Sequence, residues 1–434
     1  MSAKYVKILF GFCFFTSSWQ AYAHPDGENM AICIYHDTKY TCDCAYSNEP
    51  IELPIMDGNV FHVSIANCNN VVIVSNFLVN TYGLRSISFT NLRNLTLQQS
   101  ALSFPQLLSS TRLIIDFNNV TIKEIQSHAF NGNIDEITFT STQIDLIRPF
   151  AFTAFRDKAY FIKFIDTVFK LVEPQAFKKF SVTKLEITDS LFINPLPTRT
   201  FYDVEVVENL SIGNTTFNGA FSRAFSFSAV SMLAFTHNQV EKFEGECFEI
   251  KIRDSVAVRN NTFTQIHPAI FREIEVTPDS MQRSEKPEFR LIENIIHQTG
   301  DPVPIYISGN FQLVLGKLYF STIVNCDQIR KISNLAFFKS HEDFIYLRFS
   351  ENGNYLTYNQ MLNIECKHSS NWLYVAIGVS CLLLLAVIVA GIVFYFVRKK
   401  QKNKLDIIMP EPKTYRETQI ILQIENAGLL KTDM

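Results

Sequence analysis

The sequence predicts an α/β solenoid, with one short parallel strand in each turn, followed by a single membrane-spanning helix. Three observations predict it. A pattern is written seven times between Arg112 and Phe271, cysteines cluster toward both ends of that array, and Trp372 to Val397 is a run of 26 residues without a charge.

Each copy of the pattern reads apolar, x, apolar, then a ladder position, two further apolar residues, and a small residue followed by Phe. The first copy is Ile115, Phe117, Val120, Ile122, Ile125, Ala129 and Phe130. The second is Ile137, Phe139, Thr142, Ile144, Ile147, Ala151 and Phe152, and the third Ile162, Phe164, Thr167, Phe169, Val172, Ala176 and Phe177. Four more close at Phe201, Phe225, Phe248 and Phe271, so the closing Phe recurs after 22, 25, 24, 24, 23 and 23 residues. The apolar-x-apolar pair is a strand with both apolar side chains on one face. A single turn cannot bury that face, so neighbouring turns must stack and share a core. The ladder position holds Val120, Thr142, Thr167, Ser190, Thr215, Asn238 and Asn261. Short polar side chains there can satisfy backbone groups left unpaired where the chain turns. The 39 Phe of the 434-residue chain are largely explained by these inward positions.

This pattern resembles the extracellular leucine-rich-repeat single-pass membrane proteins. The resemblance implies a horseshoe of short parallel strands with an irregular convex side and Cys-rich caps. Thr and Ser at the ladder position depart from the Asn or Cys which that family prefers, and Val120 departs further. The resemblance covers residues 95–275 well and extends to 60 and 340 with weaker copies. Val63 and Ile65 lead to Cys68 as a ladder residue. Leu95-Leu97 is favoured over Ile87-Phe89 as the next opening strand. After a break of loop composition at 276–288, Phe289 and Leu291 lead to Asn294 and Ile296. Leu318 and Phe320 resume a strand, and Ile329, Ile332, Ala336 and Phe337 read as the end of one more turn.

The flanks fix compartment and topology. Lys4 and Lys7 precede the apolar run Ile8 to Phe15, and Ala21-Tyr22-Ala23 offers a cleavage site, so residues 1–23 read as a signal peptide. Residues 24–60 are polar and turn-rich and read as an N-terminal cap, 61–340 as the solenoid, and 341–371 as a C-terminal cap and stalk. The run 372–397 is long enough to span a bilayer. Arg398, Lys399, Lys400, Lys402 and Lys404 follow at once and place 398–434 in the cytoplasm, making a type I chain at the plasma membrane. Cysteine usage agrees with an oxidising compartment. Cys33, Cys42, Cys44 and Cys68 are expected to form disulfides at the N-terminal cap, and Cys326 with Cys366 at the other. Cys247 replaces the small Ala of other turns and is expected to stay a free, packed thiol.

Function is read from what faces outward. The net charge of −3 leaves no electrostatic footprint for nucleic acid. There is no H-E-x-x-H, no G-x-S-x-G and no phosphate-cradling glycine loop, so neither an enzyme nor a cofactor or metal is expected. Five N-x-S/T sequons lie at Asn94, Asn119, Asn209, Asn214 and Asn260. The turns built on 137–139, 162–164 and 185–187 carry none. Phe161, Lys163, Ile165, Asp166, Lys184 and Glu186 are therefore the candidate face for an extracellular protein ligand or a homophilic partner, since exposed aromatics amid charge tend to anchor interfaces. In the tail, Thr432-Asp433-Met434 fits the C-terminal pattern read by PDZ domains, and Glu425 with Leu429-Leu430 resembles a sorting signal for clathrin adaptors. Tyr415 is a candidate phosphorylation site. The expected function is a cell-surface receptor or adhesion protein. One alternative is a trafficking or scaffold protein acting through its tail. Another is a β-helix enzyme on polysaccharide, which would need about three strands per turn and a carboxylate cluster on one face. Asp116, Asp145 and Asp166 are not in register for that.

Overall fold

The computed structural model describes residues 32–104, 112–297, 304–350, 353–366 and 368–405. A β-solenoid of about 12 turns occupies most of this chain, and its parallel strands stack in register. Three ladders run along it. The first carries the apolar-x-apolar pairs, from Lys39–Asp43 to Gln312–Leu315, with Ile137 over Ile115 and Ile162 over Ile137. The second follows the ladder position, as where Gln143–Ile147 pairs with Val168–Val172. The third contains the closing Phe residues, with Phe152 beside Phe130 and Phe177.

One strand per turn was the expectation, and three are present. The α/β assignment is also corrected. Among the described residues of the array, 32–297, the only helix is the four-residue turn Pro278–Met281. Single left-handed residues make the difference. Asn119, Ser141, Asp166, Asp189, Asn214, His237 and Asn260 each have φ between 47° and 58° and form one corner. His128, Phe150, Gln175, Arg199, Arg223 and Glu246 form a second, at φ 57–61°. Ala154, Lys179 and Asp203 form a third in three of the turns. One left-handed residue reverses chain direction without a loop, so what lies between corners stays extended and pairs with its neighbours.

The core is built from stacked phenylalanines. Phe89, Phe117, Phe139 and Phe164 form one column at 4.8, 4.6 and 4.8 Å between ring centroids, with their ring planes nearly parallel. Phe130, Phe152, Phe177, Phe201, Phe225, Phe248 and Phe271 form a second. Phe169, Phe192 and Phe217 make a third. Offset ring pairs contribute roughly 0.5–1.5 kcal/mol beyond burial, which is a physical reason for Phe at positions where Leu would also be buried.

The ladder position works as expected, and better toward the C-terminus. Asn238 accepts the backbone N–H of Thr215 at 2.9 Å, Asn261 that of Asn238 at 2.8 Å, and Asn294 that of Asn261 at 3.1 Å. Their side-chain amides donate to the carbonyls of Ile212, Phe235 and Val258 in the turn before. Thr142, Thr167 and Thr215 donate to the carbonyl two residues back. Leu92 and Val120 fill the position with apolar bulk.

Several sequence boundaries shift. Lys39–Asp43 and Pro50–Leu53 already form the first turn, because Tyr40, Cys42, Leu53, Met56 and Val60 point inward; the expected cap is part of the array. Ile87 and Phe89, not Leu95 and Leu97, continue the first ladder, in register with Val63-Ile65 and Ile115-Phe117. Leu95 and Leu97 belong to the second ladder of the same turn. Leu318–Ile323 likewise pairs in the second ladder. Ile329 and Ile332 lie on the helix Cys326–Ile332, and Phe337 on the helix Ala336–Ser340, not in another turn. Asn325 and Gln328 cap the former reciprocally, and spacing of three suits a helix better than a strand.

Antiparallel strands close both ends. Ile32–His36 covers Lys39–Asp43, and Leu356–Thr357 covers Ile345–Arg348, removing open edges that would template association. Cys33 bonds Cys42, and Cys44 bonds Cys68, so the second bridge ties the first turn to the ladder position of the second. Cys326 and Cys366 are disulfide-bonded as well. Cys247 is a buried free thiol pushed well above its ordinary pKa by desolvation. A separate unit holds the helix His368–Leu405, and its Leu373–Lys402 segment is long and apolar enough to cross a membrane.

Candidate functional site

The outward face of the first ladder in turns five to seven is made by Ile134–Thr140, Ala159–Ile165 and Ser181–Thr188. Register places Phe161 between Glu136 and Lys184, Lys163 between Thr138 and Glu186, and Ile165 between Thr140 and Thr188. Alternation along each strand points these side chains away from Ile162, Phe164, Leu185 and Ile187 in the core. Five of the six residues named from sequence share these two adjacent strands, and Asp166 stands at the corner beyond them.

Their charges are largely spent on one another. Lys163 Nζ lies 4.6 Å from the Phe161 ring centroid and 3.6 Å from Glu186 Oε2. Lys184 Nζ lies 3.5 Å from Glu208 and 5.6 Å from the Tyr160 ring. Asp166 accepts a hydrogen bond from Ser141 Oγ at 2.8 Å. Glu136 is raised above the ordinary carboxylate range, first by burial and then by repulsion from Asp135 and Asp116.

The surface continues around the corner, where sequence reasoning saw nothing. Leu171, Leu191 and Ile193 on the second side are 44, 37 and 40% exposed, and Val168 lies beside Leu191 in register. Tyr160, at the start of the first-ladder strand, is 45% exposed. An open groove of about 490 Å³ begins at Leu191, Phe192 and Ile193 and runs past Thr216 and Gln239 to Thr262. It forms because the second ladder narrows to Leu191–Phe192 and Thr216–Phe217 in turns seven and eight. Pro195 and Pro197 follow the first of these and lack N–H donors; Asn194 and Asn218 instead donate to the carbonyls of Lys170 and Ile193. The signal was available, since Leu171, Leu191 and Ile193 fill no inward position of the repeat.

Four of the five sequons lie on or beside the outward side of the first ladder. Asn119, Asn214 and Asn260 are exposed left-handed corner residues, bonded to Asn91, Asp189 and His237 of the preceding turn at 2.8, 2.6 and 3.0 Å. Asn209 is on the first ladder between Lys184 and Met232. Asn94 is not on that face: it lies at the second side and donates to Asn70 Oδ1 at 2.8 Å. Turns five to seven, bracketed by Asn119 and Asn209, carry none.

Asp116, Asp145 and Asp166 lie on the first ladder, the second ladder and the corner between them. Among the described residues no group of His, Cys, Asp and Glu is placed to hold a metal ion. Residues 1–23, read as a signal peptide, and the tail residues Tyr415, Glu425, Leu429, Leu430, Thr432 and Met434 lie outside the described residues. Comparison of the chain with protein-family models, with curated proteins and with solved structures gave no match.

Proposed function

We propose that this protein is a single-pass cell-surface receptor or adhesion protein whose solenoid binds an extracellular protein. The observation that carries the reading is the grouping of outward apolar side chains on turns six and seven, between the turns bearing sequons: Tyr160, Leu171, Leu191 and Ile193 are exposed, and Phe161 and Ile165 half-buried beside them. Four turns of about 4.8 Å separate Asn119 from Asn209 and Asn214, a window of roughly 19 Å that glycans would frame and leave open. Apolar anchors rimmed by mutually neutralised charge are the composition expected of an interface centre.

Three strands in each turn meet the strand count of the β-helix alternative, but Asp116, Asp145 and Asp166 lie on different parts of the turn and make no carboxylate cluster, so the reading rests on the outward surface and not on a repeat family. Disulfides and the apolar helix support an exported, membrane-anchored chain. The basic residues 398–404 support an outward N-terminus, and the short tail would act by recruiting PDZ-domain or clathrin-adaptor proteins. Phe161→Glu and Ile193→Glu are the test. Both leave the inward face untouched, and each should abolish ligand or homophilic binding while melting and export stay normal. Full binding by both variants would overturn the assignment of this face.

A further inference from the structure

The second corner of the array carries a different kind of surface. Its left-handed residues stack directly from turn to turn: Phe150 N donates to Gln175 O at 2.8 Å, Gln175 N to Arg199 O at 2.7 Å, and Arg199 N to Arg223 O at 2.8 Å. Lys178 reaches the same line, with Nζ 2.8 Å from Gln175 Oε1, 4.3 Å from the Phe150 ring centroid and 5.7 Å from that of Tyr202. Arg199 lies 5.0 Å over the Tyr202 ring. Lys178, Arg199 and Arg223 thus belong to turns six, seven and eight; the backbones of Arg199 and Arg223 stack at the strand separation of about 4.8 Å, and Lys178 and Arg199 rest on aromatic rings.

These cations are not neutralised. Among the described residues none of Lys178, Arg199 and Arg223 has a carboxylate within 4.0 Å. The carboxylates that flank the line are held elsewhere, Glu173 by Arg148 at 3.1 Å and Glu246 by Arg272 at 3.3 Å. This contrasts with the first face, where Lys163 and Lys184 each have an acidic partner. Arg199 and Tyr202 also border an open pocket whose other charged residues are Asp203, Glu249, Lys251, Glu273 and Glu275, and this acidic side bounds the cationic corner.

We propose that this corner binds a linear sulfated polysaccharide. Sulfates would meet Lys178, Arg199 and Arg223 in sequence, with the rings of Phe150 and Tyr202 holding the first two cations in place. Single cations on three successive turns suit an extended polyanion better than a compact phosphate. An exported chain meets such polymers rather than nucleic acid. The site lies on a different corner from the protein-binding face and does not depend on it.

The test is retention of the full-length protein, in nanodiscs of neutral lipid, on immobilised heparin, with an unsulfated uronic polysaccharide and anionic vesicles as comparison probes. The basic cluster 398–404 is common to all variants, so differences report the corner alone. R199E/R223E should weaken heparin binding by about tenfold or more and flatten its salt dependence, whereas K123E, on the second side, should not. Phe150→Ala and Tyr202→Ala should each weaken binding with the salt dependence retained. Equal retention of R199E/R223E and the parent would overturn the proposal. So would loss confined to vesicle binding, which would make the ligand a lipid surface. Binding at the protein face, read by Phe161→Glu, is expected to be unchanged by the corner variants.

Discussion

Replacing Asn261 by alanine should cost far more than replacing Thr142 by valine, although both side chains occupy the same buried ladder position. Asn261 Oδ1 accepts the Asn238 N–H at 2.8 Å and the Asn238 amide at 3.0 Å, and its own amide donates to Phe235 O at 2.8 Å and Asn294 Oδ1 at 2.9 Å. Alanine removes the partner of the Asn238 N–H and the donor to the Phe235 carbonyl. Asn294 keeps the Asn261 N–H at 3.1 Å. A buried group left unpaired costs about 1–3 kcal/mol, so two give about 2–6 kcal/mol. Thr142 makes one such bond, to Thr140 O at 3.0 Å, and valine keeps its shape, so its loss should cost about 1 kcal/mol. Urea unfolding of the full chain gives the totals. Amide exchange locates the damage, which in a stacked array should centre on turns nine to eleven. Equal destabilisation by the two substitutions, or exchange that rises evenly along the array, would refute the argument.

Phe139 stacks on Phe117 and Phe164 and meets Phe130 and Phe152 edge-on, so Phe139→Ala should destabilise by about 3–5 kcal/mol and Phe139→Leu by much less, as read from urea midpoints. Cys247 should resist thiol reagents in the native state and react only on unfolding. Cys247→Ala should be tolerated, while Cys247→Ser buries a hydroxyl at a cost of about 1–3 kcal/mol in thermal melts. Glu205 is held below its ordinary pKa of 4.5 by hydrogen bonds from Arg253 at 2.6 Å and Ser181 at 2.8 Å. A depressed carboxylate stabilises above its unfolded pKa and loses that contribution as pH falls through the lower folded value. Glu205→Gln should therefore cost up to about 1 kcal/mol at pH 7, allowing for solvent screening at a partly exposed pair. The gap from the parent should shrink steadily below about pH 4.5.

The first ladder is legible because alternation over residues such as Ile115, Phe117, Ile137 and Phe139 is strict, and each turn ends on the same small-Phe pair. The other two ladders are not. Leu191–Phe192 and Phe177–Lys178 are strands of two residues, too short to show a period, and they exist because a neighbour pairs with them. The second corner hides for a related reason. Phe150, Gln175, Arg199 and Arg223 carry no turn chemistry, yet stacked backbone bonds hold each left-handed. At Ile329 and Ile332 the apolar spacing fitted two readings, and the Asn325–Gln328 capping pair decides for helix. The candidate site was half visible. Phe161, Lys163 and Ile165 follow from the first ladder, whereas Leu171, Leu191 and Ile193 could be placed only once the second ladder was known.

The face proposed for partner binding can be tested with glycans of the chain's own kind. Lys163→Asn with Ile165→Thr writes a sequon at the centre of the window. Ser88→Asn writes one three turns earlier on the same column, since Thr90 already follows. Both variants of the full-length protein would be displayed on cells and scored against a panel of cell-surface and secreted proteins, including a second copy of this chain. The expected result is a saturable partner that K163N/I165T loses and S88N keeps, with both variants glycosylated and exported like the parent. A partner retained in full by a glycosylated K163N/I165T would contradict it.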